Sequence, residues 1–162
     1  MDALSFIFKL VLAIALAALL LVTGTLVKNA PPLLEAPGPL VRLSVYLTTN
    51  TVETREHSAR PELRPRLYAN SPRETWEAAR IAAERMGWET LRSDPDSLTL
   101  QFVATTPLLR FEDDIYVQAQ SADHDLSIIY FHGRSRIGRS DLATNTRHLL
   151  DFRDALEEEL AR

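Results

Sequence analysis

The apolar residues are concentrated in one unbroken run near the N-terminus. Leu10 to Val27 is an 18-residue stretch without a charged residue. A helix of that length spans roughly 27 Å, close to the ~30 Å hydrocarbon core of a bilayer. The alternative is a cleaved signal peptide, but Asp2 offsets Lys9 and no small-residue cleavage site is well formed. We therefore expect residues 1–28 to be a retained transmembrane anchor.

The anchor predicts a single-pass membrane protein. Large C-terminal domains are translocated largely regardless of their charge, whereas short N-terminal tails usually stay inside. We therefore expect the rest of the chain to be extracytoplasmic, which means periplasmic in a bacterium.

A change of pattern follows the apolar run. Residues 29–40 contain four of the nine prolines, which predicts an extended, semi-stiff tether. Residues 41–49 then alternate, with apolar side chains at the odd positions and polar ones at the even positions, as in a half-buried strand. Residues 50–70 are polar and contain two prolines. We interpret them as a loop that wraps the domain, with a disordered continuation of the tether as the alternative.

A helix is predicted next by its start and stop signals. Ser71 fits the N-cap, Pro72 the first helical position and Glu74 the third, which completes a capping box. Gly87 fits the position after the helix, where the chain turns left-handed. The apolar stripe between these signals consists of Trp76, Ala79, Ala83 and Met86.

Four segments with strand character and a final helix complete the domain, taken here as 41–162. The strands are predicted at 88–92, 98–104, 115–119 and 126–132, and the last is apolar on both faces, which favours a central position. The final helix is capped by Ser140 or Asp141 and has an apolar stripe from Leu142 to Leu160. Short connections predict an α+β fold: an antiparallel sheet of four to five strands with two amphipathic helices on one face, preceded by one N-terminal transmembrane helix.

Composition narrows the function classes. The chain has no cysteine, which excludes disulfides and cysteine-based metal sites. The net charge of −4 gives no electrostatic footprint for nucleic acid. The five glycines are scattered, so there is no phosphate-binding loop and we expect no cofactor.

Charged and polar residues cluster in two segments, 110–114 and 134–147. If the third and fourth strands pair as a hairpin, Asp113 and Asp114 lie near Arg134 and Arg136. A helix N-terminus beside arginines binds anions. The alternative is a structural network that fixes the hairpin and caps the helix. The candidate ligand- or partner-binding residues are Arg110, Asp113, Asp114, Arg134, Arg136, Arg139, Ser140, Asp141 and Asn145.

Catalytic signatures are weak. Ser140 lies in Gly-Arg-Ser-Asp-Leu, which is not the nucleophile elbow of hydrolases. The four histidines lack metal-binding spacing, and a site of His132, His148 and Asp113 would require all three to converge. We expect neither a catalytic residue nor a metal site.

Three blocks resemble the uncharacterised family called domain of unknown function 1499. The similarity extends over roughly residues 60–160, and the last block is the most specific. The blocks are Tyr68 with the Ser71 helix ending at Gly87 and Trp88, the segment 105–117, and the segment 135–147 running into an amphipathic helix.

The resemblance implies a fold and a membrane setting, since similar proteins often carry an N-terminal hydrophobic segment. It implies no reaction. The chain departs from the family pattern at Ala143, where glycine is expected, and at His148, where an aliphatic residue is expected.

These observations favour a membrane-anchored, non-enzymatic accessory module that binds an acidic partner, most simply a membrane protein complex. One alternative is a domain that binds an anionic lipid or small ligand through Arg134, Arg136 and Arg139. The other is a hydrolase or metal-dependent enzyme.

Overall fold

The computed structural model describes residues 3–107, 109–123 and 126–162, so the first two residues of the predicted anchor lie outside it. The chain forms an α+β fold with an antiparallel sheet, as predicted. The elements are α1 (Ala3–Asn29), α2 (Pro39–Thr48), β1 (Thr51–Glu53), a 3-10 turn (Pro61–Leu63), β2 (Leu67–Tyr68), α3 (Pro72–Arg85), β3 (Glu89–Asp94), β4 (Thr99–Thr105), β5 (Glu112–Ser121), β6 (Ser127–Ser135) and α4 (Thr144–Leu160).

Within the described residues the sheet has six strands, one or two more than predicted. Its order is β1-β6-β5-β4-β3, and β2 also pairs with β6. β1 and β2 come from the segment predicted as a loop. They contain three and two residues, which is too short for an alternating pattern to be visible. β6 has pairing partners on both sides, which agrees with the central position predicted for it.

The core lies between one face of the sheet and the two helices α3 and α4. Along β6 the residues alternate between buried and half-buried up to His132, so one face packs on the helices and the other is partly open. The ring of Trp88 is stacked on Phe152 at a centroid distance of 5.7 Å, and both residues are buried. Trp76 belongs to the same buried cluster, so both tryptophans are core residues.

The capping box predicted for α3 is present. The Ser71 hydroxyl accepts a hydrogen bond from the Glu74 amide, and the Glu74 carboxylate accepts one from the Ser71 amide. Gly87 has a φ of 77°, the left-handed conformation predicted for the helix end. These local signals fix both ends of α3.

The prediction of a strand at residues 41–49 is wrong, because this segment forms most of the helix α2. Gly38, at φ 107°, precedes Pro39 at the first helical position. Pro39 fits a helix start because its fixed φ is already helical. The burial is also the reverse of the prediction: Arg42 and Tyr46 are buried, whereas the apolar Leu43 and Leu47 are exposed.

Arg42 determines this reversal. It is fully buried, and its guanidinium donates to both carboxylate oxygens of Glu62, to the Tyr46 hydroxyl and to the carbonyls of Glu35 and Ala36. The hydrogen bond to Glu62 raises the pKa of Arg42, against the opposing effect of burial. The residues before α2 consequently form turns around the guanidinium, not the extended tether that was predicted.

α1 is the one helix, among the residues described, that is long and apolar enough to cross a membrane. It has 27 residues, and a signal sequence would pass the same test of length and composition. Its last residue, Asn29, contacts the domain: the side-chain amide donates to the Leu142 carbonyl at 2.9 Å and to the Thr144 hydroxyl at 3.1 Å.

Candidate functional site

The β5–β6 hairpin brings the two predicted charged segments together. Asp114 pairs in register with Arg134. Arg136 follows the end of β6, and its Nε donates to Asp114 Oδ1 at 2.9 Å. Arg136 also contacts Glu112, which the sequence analysis did not select. These groups are exposed, so the pairs tie the hairpin together with little net stabilisation.

Asp113 lies on the opposite face of β5 from Asp114, because successive side chains in a strand point to opposite faces. It is 1% exposed. Its Oδ2 lies 3.0 Å from Nε2 of His148, which projects from α4. The two neighbouring aspartates therefore belong to separate networks, one buried and one on the surface.

The start of α4 is capped by Asp141. Its carboxylate accepts from the Ala143 amide at 2.9 Å, from the Asn145 amide at 3.0 Å and from the Asn145 side chain at 2.8 Å. Burial raises the pKa of Asp141 despite these hydrogen bonds, and the charge of Asp113 acts in the same direction. The cap agrees with the sequence analysis, but the regular helix begins later than predicted, at Thr144. The segment before it folds back, with Ala143 at φ 68° in the left-handed region where the family pattern has glycine.

Asn145 is fully buried and connects three parts of the fold. Its side-chain amide donates to the Asn50 carbonyl before β1 and to the Ser135 hydroxyl on β6, besides Asp141. Its Oδ1 packs against Gly133, where an added Cβ would lie 2.7 Å from that oxygen. Gly133 is therefore required by close packing and not by its φ angle.

Ser140 is also engaged within the fold. Its hydroxyl donates to the Tyr46 carbonyl at 2.8 Å, which ties the loop before α4 to α2. The Asp141 amide donates to the Thr49 carbonyl, and the Asn50 side chain donates to the Gly138 carbonyl. No sequence pattern indicated these contacts, because they join residues about ninety positions apart.

Three of the nine candidate residues are not held by side-chain contacts of this kind with the described residues. The side chains of Arg110, Arg134 and Arg139 are exposed and form no hydrogen bond or ion pair with any described residue. Arg134 lies on the open face of β6, and Arg139 lies in the loop before α4. We call Arg110, Arg134, Arg136 and Arg139 the arginine edge.

Two of the three residues of the hydrolase or metal hypothesis meet, namely Asp113 and His148, but His132 does not join them. His132 lies on the open face of β6, opposite Tyr116 and Glu53 in register. His148 packs on the helix side, edge-on to Trp88 at 5.7 Å. The sheet separates the two imidazoles, and within the described ranges no three His, Asp or Glu side chains group as a metal site requires.

Another arginine, Arg153, lies outside the predicted set and beside an open groove of about 460 Å³ along α4. Arg153 is 4% exposed, and its guanidinium donates to the carbonyls of Glu62 and Arg64. Desolvation lowers its pKa. Arg153 therefore holds the segment around the 3-10 turn against α4.

Fold and site together define a small α+β domain with a capped helix start, an arginine edge and an apolar N-terminal helix. The chain belongs to the family described as Protein of unknown function (DUF1499), which matches residues 44–156. The match confirms the resemblance found in the sequence. No curated protein shows significant similarity to the chain.

A solved structure with partial likeness is titled "Crystal structure of Ara h 8.0201". It is 9% identical in sequence with a TM-score of 0.43, and the match covers 69% of this chain and 98% of that one. A TM-score in this range does not establish a shared fold.

Proposed function

We propose that this protein is a single-pass membrane-anchored, non-enzymatic interaction module whose exposed arginines bind an acidic group of a partner, most simply a membrane protein complex. The observation that carries the proposal is the state of Arg134 and Arg139. Both are exposed and unengaged within the described residues, while the nearby acids are already bound: Asp113 to His148, Asp114 to Arg136 and Asp141 to the α4 cap. A guanidinium without an internal carboxylate can form bidentate hydrogen bonds with an external one.

The remaining candidate residues support a binding role over a catalytic one. Asp113, Asp141 and Asn145 are mostly buried and bonded to their neighbours, and the Ser140 hydroxyl is used by a backbone carbonyl. A nucleophile or general base must reach a substrate in a cleft. Their contacts instead fix the loop from which Arg139 projects.

The apolar helix α1 supports the anchoring part of the proposal. An anchor confines the domain to two dimensions, which raises the effective concentration of any partner in the same membrane. Even a weak contact through two arginines is then sufficient. We place the domain on the extracytoplasmic side, because large domains after a short N-terminal tail are commonly translocated.

A second candidate, an anionic lipid headgroup, is favoured by one contact. Asn29 ends α1 and donates to the Leu142 carbonyl, three positions from Arg139. If α1 crosses the bilayer, the arginine edge therefore lies near the headgroups. Basic side chains at that level are attracted to anionic lipids.

The test is native mass spectrometry of the full-length protein in mild detergent, compared with the Arg134→Gln/Arg139→Gln variant. The matched control is Arg73→Gln, which alters an exposed arginine on α3. We expect a heavier species with a second polypeptide in the wild type and control, and its loss in the double variant. An adduct of phospholipid mass with the same dependence would instead establish the second candidate. A bare monomer in all three samples would refute both.

A further inference from the structure

The helix α2 exposes its apolar side chains and buries its polar ones. Leu40, Leu43 and Leu47 recur at i, i+3 and i+7, so they share one face. They are 83%, 36% and 42% exposed, whereas Arg42 and Tyr46 are almost completely buried. Surface helices of globular domains have the opposite arrangement, with the apolar stripe facing the core.

The exposed side of α2 carries no charge. Within residues 39–48 the only ionisable groups are Arg42 and Tyr46, and both are used inside the domain. Leu34, in the turn before α2, is also apolar and is 88% exposed. A surface of this kind, next to a soluble domain, requires a covering medium or partner.

The position of α2 indicates what covers it. The loop 140–142 is hydrogen-bonded to the C-terminal part of α2 through Ser140 and Asp141, and to the last residue of α1 through Leu142. The C-terminal end of α2 therefore lies within a few residues of the end of α1.

We infer that α2 lies in the headgroup region of the bilayer, with Leu40, Leu43 and Leu47 directed toward the lipid. This inference rests on the proposed anchoring through α1. Interfacial helices bury an apolar face several ångströms into this region and keep their polar face outside. Here the polar face is bonded to the domain, so α2 would hold the domain against the membrane in a fixed orientation.

The bilayer is favoured over a second protein because it is already present beside this face. Once α1 is inserted, contact with lipid costs no further loss of translational freedom, whereas association with another chain does. The absence of exposed charge on α2 also gives an acidic or basic protein surface nothing to pair with.

The chain contains no cysteine, so single cysteines can be labelled with a nitroxide without interference. We would place one label at a time by Leu43→Cys and Leu47→Cys in the full-length protein, reconstituted in phosphatidylcholine vesicles. Leu16→Cys in α1 is the reference for the bilayer interior. Glu77→Cys, exposed on α3, is the helix-matched reference for water. Electron paramagnetic resonance then measures collisions with oxygen, which partitions into lipid, and with a water-soluble nickel chelate.

We expect the labels at 43 and 47 to show an oxygen-to-nickel collision ratio several-fold above that at 77 and below that at 16. If the label at 16 reports lipid while those at 43 and 47 match 77, the inference is wrong and the anchor stands. If 43 and 47 are shielded from both reagents, protein covers this face, which also overturns it. If the label at 16 is itself accessible to nickel, the proposed anchoring fails first.

Discussion

Replacing Arg42 with methionine should destabilise the domain more than any change at the arginine edge. Arg42 is fully buried, and the side chain of its partner Glu62 is only 6% exposed. The substitution fills part of the same volume with apolar atoms but leaves the Glu62 carboxylate without its guanidinium. A stranded charge in a buried pair costs about 3–5 kcal/mol, which is a large part of the ~5–15 kcal/mol that stabilises a typical domain.

The magnitude is measurable by urea denaturation of the full-length protein in mild detergent. Trp76 and Trp88 are both buried in the core, so their fluorescence reports unfolding of the domain. With a urea dependence of about 2 kcal/mol per molar, the loss corresponds to a fall of about 2 M in the midpoint. The control is Arg55→Met, because the ion pair of Arg55 with Glu53 is exposed and should contribute less than about 1 kcal/mol.

A double variant separates the charge from the packing. In Arg42→Met/Glu62→Gln neither member of this pair is charged, so we expect much of the lost stability to return. If Arg42→Met costs no more than Arg55→Met, the buried pair contributes no more than a surface salt bridge. If the double variant is as unstable as the single one, the loss comes from packing and from the carbonyls of Glu35 and Ala36, and the reasoning from charge is refuted.

Three further predictions use the same denaturation assay. Gly133→Ala should cost about 1–3 kcal/mol because its methyl group meets Asn145, whereas Gly24→Ala has open space and should leave the domain unchanged. Arg136→Gln should leave the urea midpoint close to that of the wild type, because its ion pairs are exposed. The raised pKa of Asp141 means that its contribution to stability is complete below pH 3.8, the unfolded value, and is lost as the pH rises through the folded value. The stability of the wild type relative to Asp141→Asn should therefore fall as the pH increases above 3.8.

Each of these three predictions would be contradicted by a specific result. If Gly133→Ala leaves the free energy of unfolding unchanged, Asn145 can move away from β6. A fall in the urea midpoint for Arg136→Gln as large as that for Arg42→Met would mean that its pairs are far stronger than exposed ones normally are. A stability difference for Asp141→Asn that grows with pH would mean that the hydrogen bonds to this carboxylate outweigh its burial.

The parts of the fold with local signals were predictable from the sequence. The capping box at Ser71 and the glycine at 87 indicated both ends of α3, and the apolar and turn patterns located the four longer strands. Periodicity alone could not decide between strand and helix for the segment 41–49. Its residues alternate as in a strand, but Arg42 and Tyr46 also recur at the helical spacing i, i+4. Which face was buried depended on Glu62, twenty positions away. The Gly38-Pro39 pair was the available sign of a helix start.

For the candidate site, the sequence indicated which residues meet but not what they do together. The hairpin geometry correctly brought Asp114 beside Arg136, and Asp141 was recognised as a cap. Strand alternation alone separates Asp113 from Asp114, although the pairing of Asp113 with His148 depends on how α4 packs. The hydrogen bond between Asn29 and Leu142 joins residues 113 positions apart, and no local sequence pattern indicates it.

The pairing of β6 with β1, β2 and β5 has a consequence for biosynthesis. Thr51 pairs with Arg134, which is translated 83 positions later. At about 5–20 residues per second, β1 waits roughly 4–17 s for its partner. During that interval its backbone edges remain unpaired. A chain terminated before Ser127 therefore cannot retain a smaller version of the domain, because β1 and β2 would lack their partner β6.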